Sequence, residues 1–245
     1  MMLSEKVALV TGGGRGIGRA AALKLASTGA DVVVVARSES QIESVVAEIE
    51  TDGGHASAIT ADVTSKKEMD RLSAWLNQRY GRLDVLVNCA GTALIASLEE
   101  TSEEDWDLVI DTNLKGTFLC TQSMLELLKA PGNALVVNVA SKVGLSGHAM
   151  VSAYAAAKAG VIGLSRSLAQ ELNGVNIRVV TLCPGPVDTS MRWEATPQMD
   201  RRLVIAPETV AETILYLLKI DNRTTSSEIV LEAVGYDESL IVLEN

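Results

Sequence analysis

The segment Thr11-Gly12-Gly13-Gly14-Arg15-Gly16-Ile17-Gly18 constrains this chain most, because it joins a run of strand formers at 7–10 to an apolar-periodic helix at 19–28. Glycines at such a junction admit positive φ and leave no side chain to hold a phosphate away from the backbone. The free N–H groups and dipole of the following helix N-terminus favour the anion's charge. A glycine-rich strand-loop-helix is the opening turn of dinucleotide-binding βαβ folds.

The remaining chain continues the alternation. Strands are expected at 32–35, 56–59, 85–87, 135–139, 178–182 and 229–233, and helices at 40–50, 67–80, 102–129, 153–172 and 207–218. Four consecutive valines at 32–35 are too few and too β-branched for a helix, and Pro207 suits a helical first turn. Repeated β-α-β with short connections implies a parallel sheet with right-handed crossovers, a doubly wound, Rossmann-type α/β fold in three layers. No linker, low-complexity tract or repeat divides the 245 residues, so one domain over 1–245 is expected. Hydrophobic residues make up 47% but aromatics only 3%, so the core is built from Val, Leu, Ile and Ala, as in strands covered on both faces.

The net charge of −10, with no basic stripe, excludes a nucleic-acid binder. Cys89, Cys120 and Cys183 lack metal-ligand or CxxC spacing and read as free thiols of a reducing compartment. His55 and His148 are the only histidines, which leaves little material for a metal site. No apolar run approaches ~18 residues and no h-region precedes the first strand. These features predict a cytoplasmic chain with no membrane association.

In a doubly wound sheet ligands bind at the carboxyl ends of the strands. After the second strand stand Ala36 and Arg37, where an acidic residue would instead select a ribose 2′-hydroxyl. A neutral residue followed by a guanidinium suits a 2′-phosphate, and Arg15 can approach it from the other side, so the cofactor predicted is NADP(H). Tyr154 and Lys158 lie i, i+4 on one helix face. Their helix, Tyr154-Ala155-Ala156-Ala157-Lys158-Ala159-Gly160, is nearly all small and apolar, so the lysine must find a partner or line a site. A phenol near pKa ~10 shuttles protons poorly near neutrality, and an adjacent ammonium lowers that value. Ser141 follows the strand at 135–139, and Asn113 lies inside the long helix, where an amide requires exposure or a specific partner.

The TGxxxGIG spacing, Asn88-Cys89-Ala90-Gly91, Tyr154 with Lys158, and Pro184-Gly185-Pro186-Val187-Asp188-Thr189 together resemble the short-chain dehydrogenase/reductase family, most of all its 3-oxoacyl-[acyl-carrier-protein] reductases. The resemblance runs from Lys6 to about Ala233, with Cys89 where the family's NNAG motif has its second Asn. It implies reversible, NADP(H)-dependent reduction of a carbonyl to a secondary alcohol. It implies that Gly12, Gly14, Arg15, Gly16, Ile17, Gly18 and Arg37 bind the cofactor, with Asp62 and Val63 at the adenine. Asn88, Ala90 and Gly91 would follow, with Asn88 largely supporting the sheet. Pro184, Gly185, Val187 and Thr189 would meet the nicotinamide end. Asn113, Ser141, Tyr154 and Lys158 become a catalytic tetrad. In it Tyr154 is the general acid, Ser141 orients the carbonyl, Lys158 binds the nicotinamide ribose and lowers the Tyr154 pKa, and Asn113 holds a relay water.

The substrate is expected to be a small-molecule or acyl-thioester carbonyl, faced by the segments 92–96, 143–151 and 190–206. Their Leu94, Leu145, Met150, Met191 and Trp193 suggest a partly apolar pocket with one aromatic wall, Met191 and Trp193 being equally placed to pack a lid. Lys129, Lys142 and Arg192 are the basic candidates for an acidic carrier protein. Two other readings are an alcohol, sugar or polyketide-type dehydrogenase of the same family and an NADP(H)-sensing regulatory protein without turnover. The C-terminus departs from the family's DGG-type ending and closes in an apolar tail at 240–243. The 153–172 helix is apolar on most faces, which predicts packing against a second copy, together with the 105–129 helix, in a homodimer or homotetramer.

Overall fold

The computed structural model describes residues 3–220 and 227–236; the tail at 240–243 lies outside them. Seven parallel strands form one sheet in the order β3-β2-β1-β4-β5-β6-β7. They are β1 (Val7–Thr11), β2 (Asp31–Ala36), β3 (His55–Thr60), β4 (Val85–Asn88), β5 (Ala134–Val139), β6 (Ile177–Pro184) and β7 (Glu228–Leu231). The order reverses at β1, so the loops after β1 and β4 border the crevice where such sheets bind ligands.

Alternation along each strand explains the three layers. Ala8 and Val10 of β1, with Val32 and Val34 of β2, pack against α1 (Gly16–Ala26), α2 (Glu39–Thr51) and α10 (Pro207–Lys219). Val7, Leu9, Val33 and Val35 point the other way, against α3 (Lys66–Arg79) and α5 (Gly116–Ser123). Both faces are dry and aliphatic, which is why the strands read as unbroken valine-rich runs.

The helix expected over 102–129 is not continuous. It is built as α4 (Glu103–Ile110), a π-helical turn (Asp111–Lys115), α5 and α6 (Leu125–Lys129). The cause is Asn113. Its Nδ2 donates to Val109 O at 2.8 Å, taking the carbonyl an α-helix would offer to the Asn113 backbone N–H, and donates again to Thr92 O at 2.8 Å. A side chain competing with its own backbone widens the helix, and such turns recur at functional sites. Two short helices, α7 (Val143–Ser146) and α9 (Ser190–Ala195), lie in loops after β5 and β6, and α8 (Ser152–Glu171) carries Tyr154 and Lys158.

The amino ends of β1 and β4 are clamped by Asp84, whose side chain is 1% exposed. It accepts from the Val7 N–H at 3.0 Å, from Lys6 Nζ at 3.1 Å, and from Arg82 Nε and Nη2 at 2.9 and 2.6 Å. Burial works to raise this carboxyl, but the Arg82, Val7 and Lys6 hydrogen bonds outweigh it and hold the group below its ordinary value. A depressed carboxylate contributes stability that is present above its unfolded pKa of ~3.9 and is lost as pH falls through the folded value. Asp84→Asn should therefore cost about 2 kcal/mol at neutral pH and lose less of its stability below pH ~4 than the wild type does, as read by denaturant melts across pH.

Candidate active site

The loops after β1, β2, β4, β5 and β6 converge on one cavity of about 470 Å³. Its floor is the glycine loop. Gly12 has φ +64°, and a Cβ there would lie 2.8 Å from Ala90 backbone atoms; a Cβ on Gly18 would lie 2.3 Å from Gly12 O. Only glycine lets the two loops and the start of α1 approach this closely. Thr11 fixes the junction from below, its Oγ1 accepting the Cys89 and Ala90 N–H groups at 3.1 and 3.2 Å.

Most of the residues singled out in the sequence line this cavity: Gly12, Gly14, Arg15, Gly16 and Ile17; Arg37, Asp62 and Val63; Ala90 and Gly91; Pro184, Gly185, Val187 and Thr189; and all four of Asn113, Ser141, Tyr154 and Lys158. Two expected cofactor contacts do not reach it. Gly18 is spent on the Gly12 contact, and Asn88 is buried behind the loop. Asn88 Nδ2 donates to Thr121 Oγ1 at 2.9 Å and to Asn138 Oδ1 at 2.8 Å, tying β4 to β5 and α5. Ser38, Gln41 and Thr112 join the wall without having been assigned to it, whereas Ser190 and Arg192 fall in the 190–206 segment expected to face substrate. Of the unassigned three, Ser38, the N-cap of α2, a polar position one residue past Arg37, gives the one advance signal.

The pocket's apolar wall comes from the three segments expected to face substrate, but mostly from other side chains in them than those singled out. Ala93, Ile95, Val143, Val151 and Met191 form its apolar part. Leu94 faces a smaller hollow that shares Ile95 and Met191, while Leu145 is 44% exposed and Met150 is not in the lining. Trp193 is held outside by Asp188 Oδ1, 2.6 Å from its Nε1, with the Arg201 guanidinium over its ring at 4.4 Å. Small and β-branched side chains with Met191 make the wall, and the one aromatic candidate is drawn off by polar and cationic partners of its own.

At the end nearest β5, the Ser141 hydroxyl stands beside Tyr154 and acts to lower its pKa. Lys158, one turn on, is 5% exposed; its Nζ donates to Val139 O at 2.9 Å and lies 5.6 Å from the Tyr154 ring centroid. An ammonium has three donors, and no other acceptor holds it among the described residues. Asn113 Oδ1 is likewise buried without a partner. It lies 2.6 Å, and Lys158 Nζ 3.6 Å, from the point a Cβ on Gly91 would take. An orphaned acceptor and an under-used ammonium thus face one glycine, and the space they share suits hydroxyl groups or a bridging water. The cavity's donor set, glycine cradle and two mouth arginines fit a phosphorylated dinucleotide.

The expected lowering of the Tyr154 pKa is not what the protein alone produces. Burial raises the phenol, and the neighbouring Ser141 hydroxyl and the Arg192 charge, which lower it, do not overcome that. Lys158 is itself pushed down to about 8 by burial, which weakens its effect as a fixed positive charge above that pH.

A glycine-rich phosphate cradle and a Tyr-Lys-Ser-Asn cluster at the mouth of one parallel sheet define a nucleotide-dependent oxidoreductase. Residues 6–200 match the family model for short chain dehydrogenases. The chain is 38% identical to the 3-oxoacyl-[acyl-carrier-protein] reductase of Thermotoga maritima, over 99% of this chain and 100% of that one. It is 40% identical to the enzyme of the same name from Synechocystis sp., over 88% and 90%. A variant of the actinorhodin polyketide ketoreductase, solved with NADPH, superposes with a TM-score of 0.88 at 32% identity, over 95% of this chain and 98% of that one. The chain belongs to the short-chain dehydrogenase family.

The buried Lys158 charge generates a stability prediction. A lysine lowered to about 8, against ~10.4 unfolded, penalises the fold fully below pH ~8, and the penalty is relieved as pH rises from there towards ~10. Without cofactor, Lys158→Met should melt at the same temperature as wild type or higher at pH 7, and that advantage should shrink by pH 10. Differential scanning calorimetry at the two pH values reads it.

Proposed function

We propose that the chain is an NADPH-dependent ketoreductase that reduces a 3-oxoacyl thioester to the secondary alcohol, reversibly, as one domain spanning 1–245. The observation that carries this reading is Ser141 and Tyr154 lining, with a buried Lys158 one turn on, the cavity floored by the glycine loop. Two curated relatives of that activity, each covered along most of its length, favour it over an alcohol, sugar or polyketide-type dehydrogenase. An intact tetrad speaks against a sensor without turnover.

NADPH supplies a hydride to the carbonyl carbon. Arg15 and Arg37, at the cavity mouth, bind its 2′-phosphate, and the N–H groups of the loop from Gly12 to Ile17 take the pyrophosphate. Asp62, whose carboxylate is held in place by Thr64 N and Oγ1 at 2.9 and 2.8 Å, would take the adenine amine. Lys158 gives its remaining donors to ribose hydroxyls, and Val187 and Thr189 hold the carboxamide. Ser141 donates to the substrate oxygen and Tyr154 delivers the proton to it. The raised phenol pKa suits this direction, since Tyr154 stays protonated at neutral pH. A water on Asn113 Oδ1 then returns a proton by way of Lys158.

The proposal includes a homodimer or homotetramer, supported by Trp106, Leu108 and Phe118, which stand 39%, 50% and 42% exposed on α4 and α5, next to the exposed Ala156 and Ala159 of α8. It also includes a cytoplasmic location, supported by three unpaired cysteines. Among the described residues no helix is long and apolar enough to cross a membrane.

NADPH oxidation with acetoacetyl thioesters tests the reading. Tyr154→Phe should lose about 10²–10⁴ in kcat with little change in the Kd for NADPH; a variant retaining wild-type kcat contradicts the proton-delivery role. Arg37→Ala should raise the KM for NADPH about tenfold and leave that for NADH unchanged. Equal effects on both would take Arg37 out of 2′-phosphate recognition.

A further inference from the structure

Four cations and one carboxylate line the cavity: Arg15, Arg37, Lys158 and Arg192 against Asp62. In a chain with 31 acidic and 21 basic residues, that positive surplus is a built feature. The cofactor reading uses Arg15 and Arg37 for a phosphate and Lys158 for hydroxyls. Arg192 remains.

Arg192 is half-buried, and among the described residues no carboxylate lies within ion-pair distance of its guanidinium. Its side chain donates once, Nη1 to Thr196 Oγ1 at 3.1 Å. Burial lowers its pKa, and its charge is felt at the Tyr154 and Tyr236 hydroxyls. The other basic candidates for anion recognition are committed elsewhere: Lys129 to Glu126 at 2.7 Å, and Lys142 to Glu232, with the Tyr236 ring 5.3 Å from its Nζ.

The position of Arg192 is set by the cofactor loop. Thr189 is the N-cap of α9, and its Oγ1 accepts the Arg192 N–H at 3.3 Å, so the residue at the carboxamide end also aims the guanidinium. The cavity it enters has an apolar wall that includes Met191, Val143 and Val151. A desolvated guanidinium with most of its five donors unused is a demand for an anion, and a planar oxyanion satisfies it in two parallel bonds.

We propose that Arg192 is a specificity-determining residue that binds an anionic group carried by the substrate within reach of the carbonyl at Tyr154. This rests on the ketoreductase reading. The anion has two possible sources with the same chemistry, a carboxylate on the acyl chain or a phosphate on the thiol arm.

Four substrates separate them: the N-acetylcysteamine thioester of 3-oxoadipate, its methyl ester, and the acetoacetyl thioesters of coenzyme A and of N-acetylcysteamine. In wild type, kcat/KM should favour one anionic member over its neutral counterpart. Arg192→Gln should cut that ratio about tenfold or more, and Arg192→Lys should restore part of it. A ratio that falls for the acid-to-methyl-ester pair names the acyl carboxylate; one that falls for the coenzyme A pair names the phosphate. Both ratios unchanged in Arg192→Gln overturns the proposal, as does a selective rise in the KM for NADPH, which would make Arg192 a cofactor residue. No turnover of any thioester by wild type would instead refute the ketoreductase reading. Calorimetric titration of the same four compounds into the NADP⁺ complexes of wild type and Arg192→Gln then decides the Arg192 question from binding ratios alone.

Discussion

A lysine ammonium buried to 5% exposure with a single backbone acceptor, Val139 O, organises the site. The fold meets that cost by placing Lys158 on α8 where its donors open into the cavity. There they find Tyr154 on one side and Gly91 and Asn113 on the other. The π-helical turn belongs to the same arrangement. Asn113 gives its amide N–H groups to Val109 and Thr92, and so leaves its carbonyl oxygen free towards Lys158. Two groups that would be liabilities in a packed core become a ready-made seat for hydroxyls and water.

That seat depends on distant packing. Thr11 and Asn88 fasten β1, β4 and β5 at their carboxyl ends, and Asp84 clamps β1 and β4 at the other end. Gly12 and Gly18 bring the first loop against Ala90 and against itself. Sheet register therefore fixes the distance between the glycine cradle and the Tyr154 end without any long side chain spanning the cavity.

Much of this was legible in the chain. Valine runs and turn residues gave the seven strands to within one or two residues, because a parallel core demands unbroken aliphatic segments. The motifs fell at strand ends, where topology puts ligands. What escaped was decided by tertiary partners. The break at Asp111–Lys115 follows from one amide choosing a carbonyl, and propensity alone carries no sign of it. Leu145 was read as pocket wall and Trp193 as wall or lid, but Trp193 is drawn to Asp188 and Arg201, and Leu145 stays exposed. The Tyr154 pKa was read from its lysine neighbour, whereas burial raises it past what Ser141 and the Arg192 charge lower it by. Spacing reveals a neighbour; it does not reveal desolvation.

The two opposing influences on Tyr154 can be separated directly. Its ionisation in the NADP⁺ complex can be followed as the phenolate absorbance difference between the protein and its Tyr154→Phe counterpart, in wild type and in Lys158→Met. If Lys158 and the cationic ring tune the phenol, wild type ionises below the ordinary ~10 and Lys158→Met at least one unit higher. An identical midpoint in both proteins would contradict the role assigned to the buried ammonium.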